Sequence, residues 1–223
     1  MDTHEFGKRS ERFANDTKSL VDSTLVGKTE LETLPANVES LRATFNLSKS
    51  LVIATSGSDR LQLRCGYRLC VNTGGDDLAV ETSTFKVGFN SKKKFVPIVR
   101  FEYDRNARSK PASHFQFHAD SVALGLWLAR AGRYETAEHQ HKIHFPMGDH
   151  RFRVCLEDIV ELLVTEFDAR PINNWQEHVD RGREKFHKLQ IEAVIRHNVP
   201  TAVRLLENLG YEVHGSQARS DLP

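Results

Sequence analysis

Between residues 51 and 118, apolar and polar residues alternate along the chain, which is the period-two pattern typical of β-strands. We predict strands at residues 51–54, 61–71, 78–85, 95–103 and 113–118. Turn-forming residues separate several of them, at residues 56–59, 73–76 and 92–94. The short connections favour an antiparallel meander of about five strands.

Apolar residues spaced three and four apart predict helices on both sides of this meander. Thr29 and Glu32 match a capping box, followed by an amphipathic face of Leu31, Leu34, Val38, Leu41 and Phe45. Pro35 marks either the start of this N-terminal helix or a kink in it. Residues 1–28 are polar with little periodicity, so they form either a mobile lead or a marginal helix.

The C-terminal half has stronger helical signals. We predict helices over residues 122–131, from Leu156 to Phe167, along a long face from Trp175 to Ala193, and after Pro200, with a further strand at 139–145. The prediction is an α+β fold in which an antiparallel sheet of about five to six strands is covered by C-terminal helices, with an N-terminal helix. Residues 29–213 would form a single domain between a flexible lead, 1–28, and a flexible tail, 214–223.

Composition narrows the class of protein. With 31 Lys+Arg against 30 Asp+Glu and 39% hydrophobic residues, the chain is neither a highly basic nucleic-acid coat nor an acidic disordered segment. No apolar run approaches the ~18–20 residues that cross a bilayer, and the N-terminus lacks the apolar stretch of a secretory signal. The three cysteines form a poor disulfide framework. We therefore expect a soluble cytoplasmic protein.

Histidines are concentrated in one region. Six of the eleven lie between residues 114 and 150: His114, His118, His139, His141, His144 and His150. On a strand over 113–118, His114 and His118 share one face, while Phe115 and Phe117 face the core. If this strand pairs with residues 139–145, up to three imidazoles meet on one polar face.

Such a face has two chemical uses. Neutral imidazoles with a carboxylate from Asp120, Asp149 or Glu157 would bind a divalent metal. Alternatively, a metal-free ribonuclease uses one imidazole as base and another as acid, beside a cation that binds the phosphate. The candidate catalytic residues are His114, His118, His141, His144, Arg105 and Arg151. We predict no cofactor, with a divalent metal as the alternative, and the histidines also fit a purely structural role.

Positive charge is concentrated in residues 86–110, where eight Lys and Arg residues accompany only Glu102 and Asp104. This excess would attract a nucleic acid or an acidic protein surface through Lys92, Lys93, Lys94, Arg100, Arg108 and Lys110. The alternative is that these lysines protect a solvated hairpin edge from pairing with another strand.

The predicted helix over Trp175–Ala193 has one apolar face and a strongly charged face opposite to it. The apolar face either packs on the sheet or binds a protein partner or a second copy of the chain.

Three stretches carry a resemblance to a known group of proteins: Phe101-Glu102-Tyr103-Asp104, Pro111-Ala112-Ser113-His114, and His144-Phe145-Pro146-Met147-Gly148 followed by Arg151-Phe152-Arg153-Val154-Cys155-Leu156-Glu157-Asp158. With the ending Leu209-Gly210-Tyr211-Glu212-Val213, they resemble an uncharacterised family of high-GC Gram-positive bacteria and their mobile elements. The resemblance spans roughly residues 97–213 and implies a bacterial setting.

A second similarity is to small toxins of toxin–antitoxin pairs. These also have a run like Tyr103-Asp104-Arg105-Asn106-Ala107 shortly before a histidine-bearing strand, but Arg108-Ser109 here replace their usual histidines. Two hypotheses result. The first is a non-catalytic interaction module, associated with a mobile element or a defence operon. The alternative is a histidine-dependent nuclease or toxin-like RNase that cleaves phosphodiesters by acid–base or metal-assisted chemistry.

Overall fold

The structure, a computed structural model, describes residues 1–37, 40–54, 60–92, 94–148 and 152–214. It has an N-terminal helix, a seven-stranded antiparallel sheet in which sequence neighbours are also spatial neighbours, and C-terminal helices. The α+β prediction is confirmed, with seven strands in place of five to six. The strands are β1 (Gly27–Asn37), β2 (Arg42–Val52), β3 (Arg60–Val71), β4 (Leu78–Ser91), β5 (Lys94–Asp104), β6 (Ser113–Phe117) and β7 (Phe145–Pro146).

The helices are α1 (Thr3–Thr24), α2 (Val122–Arg130), α3 (Tyr134–Glu138), α4 (Leu156–Glu166), α5 (Trp175–His197) and α6 (Val199–Asn208), and Gln140–Lys142 form a 3₁₀ turn. The chain divides into two compact units, Met1–Asp180 and Arg181–Pro223. The domain boundaries derived from the sequence stay a prediction. Among the described residues, no helix combines the length and the apolar character needed to cross a membrane.

The helix predicted from Leu31 to Phe45 is wrong. Residues 27–37 and 42–52 form β1 and β2, which pair antiparallel from Gly27 opposite Leu51 to Asn37 opposite Arg42. The deciding pattern lies in β2, where Phe45, Leu47, Lys49 and Leu51 are buried while the residues between them are more exposed. A lysine in the buried row obscures this alternation, and the three-and-four spacing from Leu31 to Phe45 extends across two strands instead of one helix.

The sequence allows either a mobile lead or a marginal helix over residues 1–28, and the structure has helix α1 there. Asp2 caps it by accepting a hydrogen bond from the backbone N–H of Glu5, at 2.8 Å. The buried stripe of α1 repeats every three or four residues, but half of it is serine or threonine, which hides it from a hydrophobicity pattern: Phe6, Ser10, Ala14, Thr17, Val21 and Thr24. The Thr17 and Thr24 hydroxyls donate to carbonyls one turn earlier, so these polar groups are satisfied inside the fold.

The core of the first unit lies between one face of the sheet and the helices α1 and α4. At its centre the Phe45 and Tyr67 rings stack 5.0 Å apart. Phe13 of α1 contacts both rings edge-on, and Phe85 of β4 meets Tyr67 in the same way. Edge-to-face aromatic pairs of this kind stabilise a packed core beyond the area that they bury. These contacts hold α1 against the core-facing side of the sheet.

The buried row of β2 contains a charged side chain, Lys49, which is 1% exposed. Its Nζ donates to Asp22 Oδ1 of α1 at 2.9 Å, to Thr29 Oγ1 at 2.8 Å and to the Gly27 carbonyl at 3.4 Å. Burial raises the pKa of Asp22, but hydrogen bonds from Lys18, Thr29 and Lys49 outweigh it and lower this pKa to about 2. The ion pair therefore joins α1 to both β1 and β2.

The strand predicted at 139–145 is also wrong for most of its length. Residues 140–142 form a 3₁₀ turn, and only Phe145 and Pro146 pair with β6. The reason is Gln140, whose buried amide donates to the Ser121 carbonyl at 3.0 Å and accepts from the Ser121 N–H at 2.8 Å. This clamp holds the turn against the start of α2 and prevents an extended strand.

Replacing Asp22 with asparagine tests the ion pair that holds α1. In Asp22→Asn the ammonium of Lys49 stays buried without a counter-ion, so we expect the free energy of unfolding to fall by on the order of 3 kcal/mol in urea denaturation at pH 7. The matched control is Lys18→Met, which removes an exposed partner of the same carboxylate and should cost less than about 1 kcal/mol. Equal losses in the two variants would contradict the account.

Candidate functional site

The candidate site lies on the face of the sheet opposite the core, at its β5–β7 end. Phe101 pairs with Phe115 across β5 and β6 and both rings pack against the core, so Glu102 and His114 necessarily project from the other face. Phe117 lies on the core side but is 47% exposed, contrary to the prediction, because β7 pairs with β6 only at His114 and Phe115. The division of β6 into an aromatic face and a histidine face is as the sequence predicts.

His114 is completely buried, with 0% of its surface exposed. Its Nδ1 lies 2.9 Å from the Pro111 carbonyl, and its Nε2 lies 3.2 Å from Glu102 Oε2. The carbonyl can only accept, so Nδ1 donates to it. His114 therefore has no surface to present to a substrate.

Glu102 is the centre of this polar cluster. Besides His114, Lys110 Nζ lies 3.2 Å from its Oε2 and Arg100 Nε lies 3.2 Å from its Oε1. Burial raises the pKa of Glu102, but the charges of Arg100, Lys110 and His114 outweigh it, and the net pKa is lowered. Arg100 and Lys110 thus neutralise a carboxylate of their own chain.

Gln116 connects this cluster to His144. It accepts a hydrogen bond from Arg100 Nη2 through Oε1, and its Nε2 donates to His144 Nε2 at 3.2 Å. The pKa of His144 is lowered by burial and by the nearby charges of His114, Lys110 and Arg100, against an opposing effect of Glu102. The lowered pKa agrees with a neutral ring whose Nε2 accepts, and the His114 and His144 ring centres are 4.6 Å apart.

A second group of imidazoles, made up of His118, His139 and His141, lies next to the end of β6. The His118 ring stacks on His141 with ring centres 5.4 Å apart, and His139 meets His141 edge-on at 5.8 Å. Burial, followed by the charges of Arg100, His141 and Lys86, lowers the pKa of His118. Its Nε2 is buried and has no hydrogen-bond partner within the described part of the chain.

The structure thus brings four predicted catalytic residues together in two pairs, His114 with His144 and His118 with His141. Phe145 stacks on Phe115 with ring centres 5.0 Å apart, and this contact brings the adjoining His144 close to β6. The sequence reasoning did not assign roles to Glu102, Gln116 and Gln140. The sequence could have indicated Glu102 and Gln116, because residues 102 and 116 share a face with Arg100 and His114 once β5 and β6 pair in register.

Arg105 does not join the histidines. Its Nη1 lies 3.8 Å from Cys70 Sγ and its Nη2 3.5 Å from Thr73 Oγ1, at the turn between β3 and β4. Arg151 lies outside the described residues. Two concave regions, with volumes of about 740 Å³ and 400 Å³, are formed by described residues, and no histidine lines either of them.

The predicted basic surface is divided in the structure. Lys92 and Lys94 lie at the turn between β4 and β5, and Arg108 lies in the loop beyond the other end of β5. Since β5 has 11 residues, these groups are on the order of 30 Å apart along the strand. Arg100 in β5 and Lys110 in the loop after β5 pair with Glu102, while Lys93 is outside the described residues. The binding role of these six residues stays a prediction.

The geometry of the described residues supports neither a metal site nor a reactive thiol. Among the described residues, which include Asp120 and Glu157 but not Asp149, no three histidine, cysteine or acidic side chains are arranged to hold a metal ion. The three cysteines are free thiols. Burial, with Glu157 and Asp158 nearby, raises the pKa of the Cys155 thiol, which makes it a poor nucleophile.

Comparisons of the chain with protein-family models, with curated proteins and with solved structures gave no match. The function therefore has to be argued from the residues of this chain.

The lowered pKa values of His118 and His144 predict a pH-dependent stability. Because each folded pKa is lowered, the unfolded chain takes up protons more readily, so the stability is complete above the ordinary imidazole pKa near 6.5 and falls as the pH drops through it. We expect the free energy of unfolding to decrease from pH 8 to pH 5.5, and to decrease less in the double variant His118→Asn/His144→Asn.

Urea denaturation of both proteins at both pH values measures this difference. The comparison at pH 8, where both imidazoles are neutral, isolates any loss of packing caused by the substitutions. The same decrease in wild type and double variant would show that these two rings do not produce the effect.

Proposed function

We propose that the protein is a non-catalytic interaction module that pairs with a second copy of itself through α6 and the last turns of α5. We extend the proposal to a mobile-element or defence setting on the resemblance described above. The observation that carries it is a group of nine large apolar side chains in the second unit, each at least 41% exposed: Leu189, Ile191, Val194, Ile195, Val199, Leu205, Leu206, Leu209 and Tyr211.

The pattern on α6 supports helix pairing. Val199, Ala202, Leu206 and Leu209 are spaced three, four and three apart, which is the spacing of the apolar seam in a coiled coil. α6 has 10 residues and none of them is buried. An isolated helix of that length is marginal in water, and most helix stability in proteins comes from packing of an apolar face. The seam on α6 therefore favours a covering helix.

Three features favour a second copy as the occupant. The nine large side chains lie around the end of α5 and α6 and together expose on the order of 800 Å² of surface, which is the size of one partner's share of a standard interface. The seam is bordered by the uncharged Val203 and Leu205, whereas Arg204 lies on the opposite face of the helix and Glu207 lies away from the seam. Such a seam matches another uncharged seam, and a net charge of +1 produces little repulsion between copies.

This surface differs from the partner surface predicted at Trp175–Ala193. Trp175 and Val179 pack into the core of the first unit, so the first turns of α5 support the intrachain alternative. The large exposed apolar residues of α5 begin at Leu189. The proposed surface therefore starts near the end of the predicted face and continues through α6.

Self-association is tested by size-exclusion chromatography with light scattering at micromolar concentration. We expect wild type to be a dimer and Leu206→Glu/Leu209→Glu to be a monomer, because two buried carboxylates should raise the dissociation constant by roughly thirtyfold or more. Arg204→Gln, on the opposite face of α6, is the matched control and should remain a dimer. A monomeric wild type, or a dimer in both variants, would refute the proposal.

The histidine-dependent nuclease is the alternative, and one observation favours it. His118 has a lowered pKa, which provides a neutral base near pH 7, and it lies against His141 with the charge of Arg100 nearby. Against it, His114 is fully buried and Arg105 contacts Cys70 and Thr73 instead of the histidines. The interaction module therefore has the stronger support.

An RNA-cleavage assay separates the two hypotheses. Under the proposed function we expect wild type and His118→Ala to release no more product than buffer, with or without a chelator, because neither imidazole pair in the described part of the chain lines either of the two concave regions. Cleavage by wild type that is lost in His118→Ala would establish the nuclease instead. Its response to the chelator would then distinguish metal-assisted from metal-free chemistry.

A further inference from the structure

A group of arginines lies at the end of the sheet where β1 joins β2 and β3 joins β4. Arg42 and Arg68 flank the buried carboxylate of Glu81, which is 6% exposed, and Arg105 contacts the Glu81 backbone. Arg42 Nη2 lies 3.1 Å from Glu81 Oε1, Arg68 Nε lies 3.8 Å from its Oε2, and the Arg105 backbone N–H donates to the Glu81 carbonyl at 2.9 Å. Asn106 Nδ2 also donates to Glu81 Oε1, at 3.4 Å. Glu81 thus positions its neighbours.

The positive charge of this group exceeds its negative charge, because three guanidinium groups accompany the carboxylates of Glu81 and Asp104. A third acid nearby, Asp77, pairs with Arg9 at 3.3 Å, whereas Asp104 accepts an uncharged N–H, that of Asn106, at 2.9 Å. Arg105 pairs with no carboxylate in the described part of the chain, and its contacts are with Cys70 and Thr73. Most of its donors are available to an anion.

These side chains line a concave region of about 400 Å³. We define it as the rim cleft, lined by Ser40, Arg42, Thr73, Glu81, Arg105 and Asn106 among others. The volume is within the range of small-ligand sites, and it exceeds what a bare phosphate group requires. The lining contains no aromatic side chain on which a base could stack, but it has hydroxyl and amide groups that would bind sugar hydroxyls.

We propose that the rim cleft binds a small phosphomonoester, such as a sugar phosphate, with the phosphate on Arg42 and Arg105. A monoester phosphate carries nearly two negative charges at neutral pH and three acceptor oxygens, which match the charge excess and the planar N–H pairs of the arginines. A phosphodiester has one charge and fewer free oxygens, so the cleft favours the monoester. This inference concerns the first unit and is independent of the proposed self-association.

The test is an NMR titration of the full-length ¹⁵N-labelled protein at constant ionic strength. The probes are ribose 5-phosphate, inorganic phosphate and, as a diester, dimethyl phosphate. We expect saturable shifts of the Thr73, Arg105 and Asn106 amide signals with the first two probes, and at least tenfold weaker binding of dimethyl phosphate. The spectrum itself reports whether each variant is folded.

Arg105→Gln should weaken ribose 5-phosphate binding by about tenfold or more, since it removes a charge-assisted contact. Arg64→Gln, a change of the same type on β3 outside the rim cleft, should bind as wild type does. If Arg105→Gln does not fold, Arg105→Lys retains the charge without the planar fork and should bind more weakly than wild type. Absence of saturable shifts, equal binding of the diester, or equal binding by the Arg105 and Arg64 variants would overturn the proposal.

Discussion

The buried ammonium of Lys49 is the constraint on which the arrangement of helix and sheet depends. A charge inside a core is tolerated only with a hydrogen-bonded counter-ion, and Asp22 of α1 supplies it. This contact requires α1 to lie across β1 and β2. From that position Phe13 reaches the rings of Phe45 and Tyr67, and the small side chains of α1 cover the sheet. The polar contact and the aromatic core therefore depend on one placement of the helix.

The polar cluster around Glu102 is the other consequence of that sheet. The alternation that turns Phe101 and Phe115 toward the core turns Glu102 and His114 to the opposite face, where the segment leading to β7 covers them. The histidines there form hydrogen bonds with groups of the chain itself or stack in pairs. These contacts fit the purely structural role of the histidines, and we propose the apolar seam of α6 as the stronger functional feature.

Where sequence reasoning succeeded, short-range periodicity and turn chemistry agreed with each other. β3, β4, β5 and β6 follow alternating residues, and α6 has Pro200 in its first turn and Gly210 after its end, with a positive φ of 88°. Sequence reasoning failed where a polar residue occupies a buried position. The threonines and Ser10 hide the buried stripe of α1, and Lys49 hides that of β2. The clamp made by Gln140 likewise has no periodic signal.

The sequence by itself determined the class of fold, strands β3 to β6, helices α2, α4, α5 and α6, and the two faces of β6, because these follow from periods of two and 3.6 residues within short segments. Only the tertiary structure decided that β1 and β2 are strands, that His114 is buried and that Arg105 joins Arg42 instead of the histidines. Each of these depends on partners distant in sequence. Lys49 and Asp22 are 27 residues apart, and the free energy of burying Lys49 is set by that contact, which no local pattern contains.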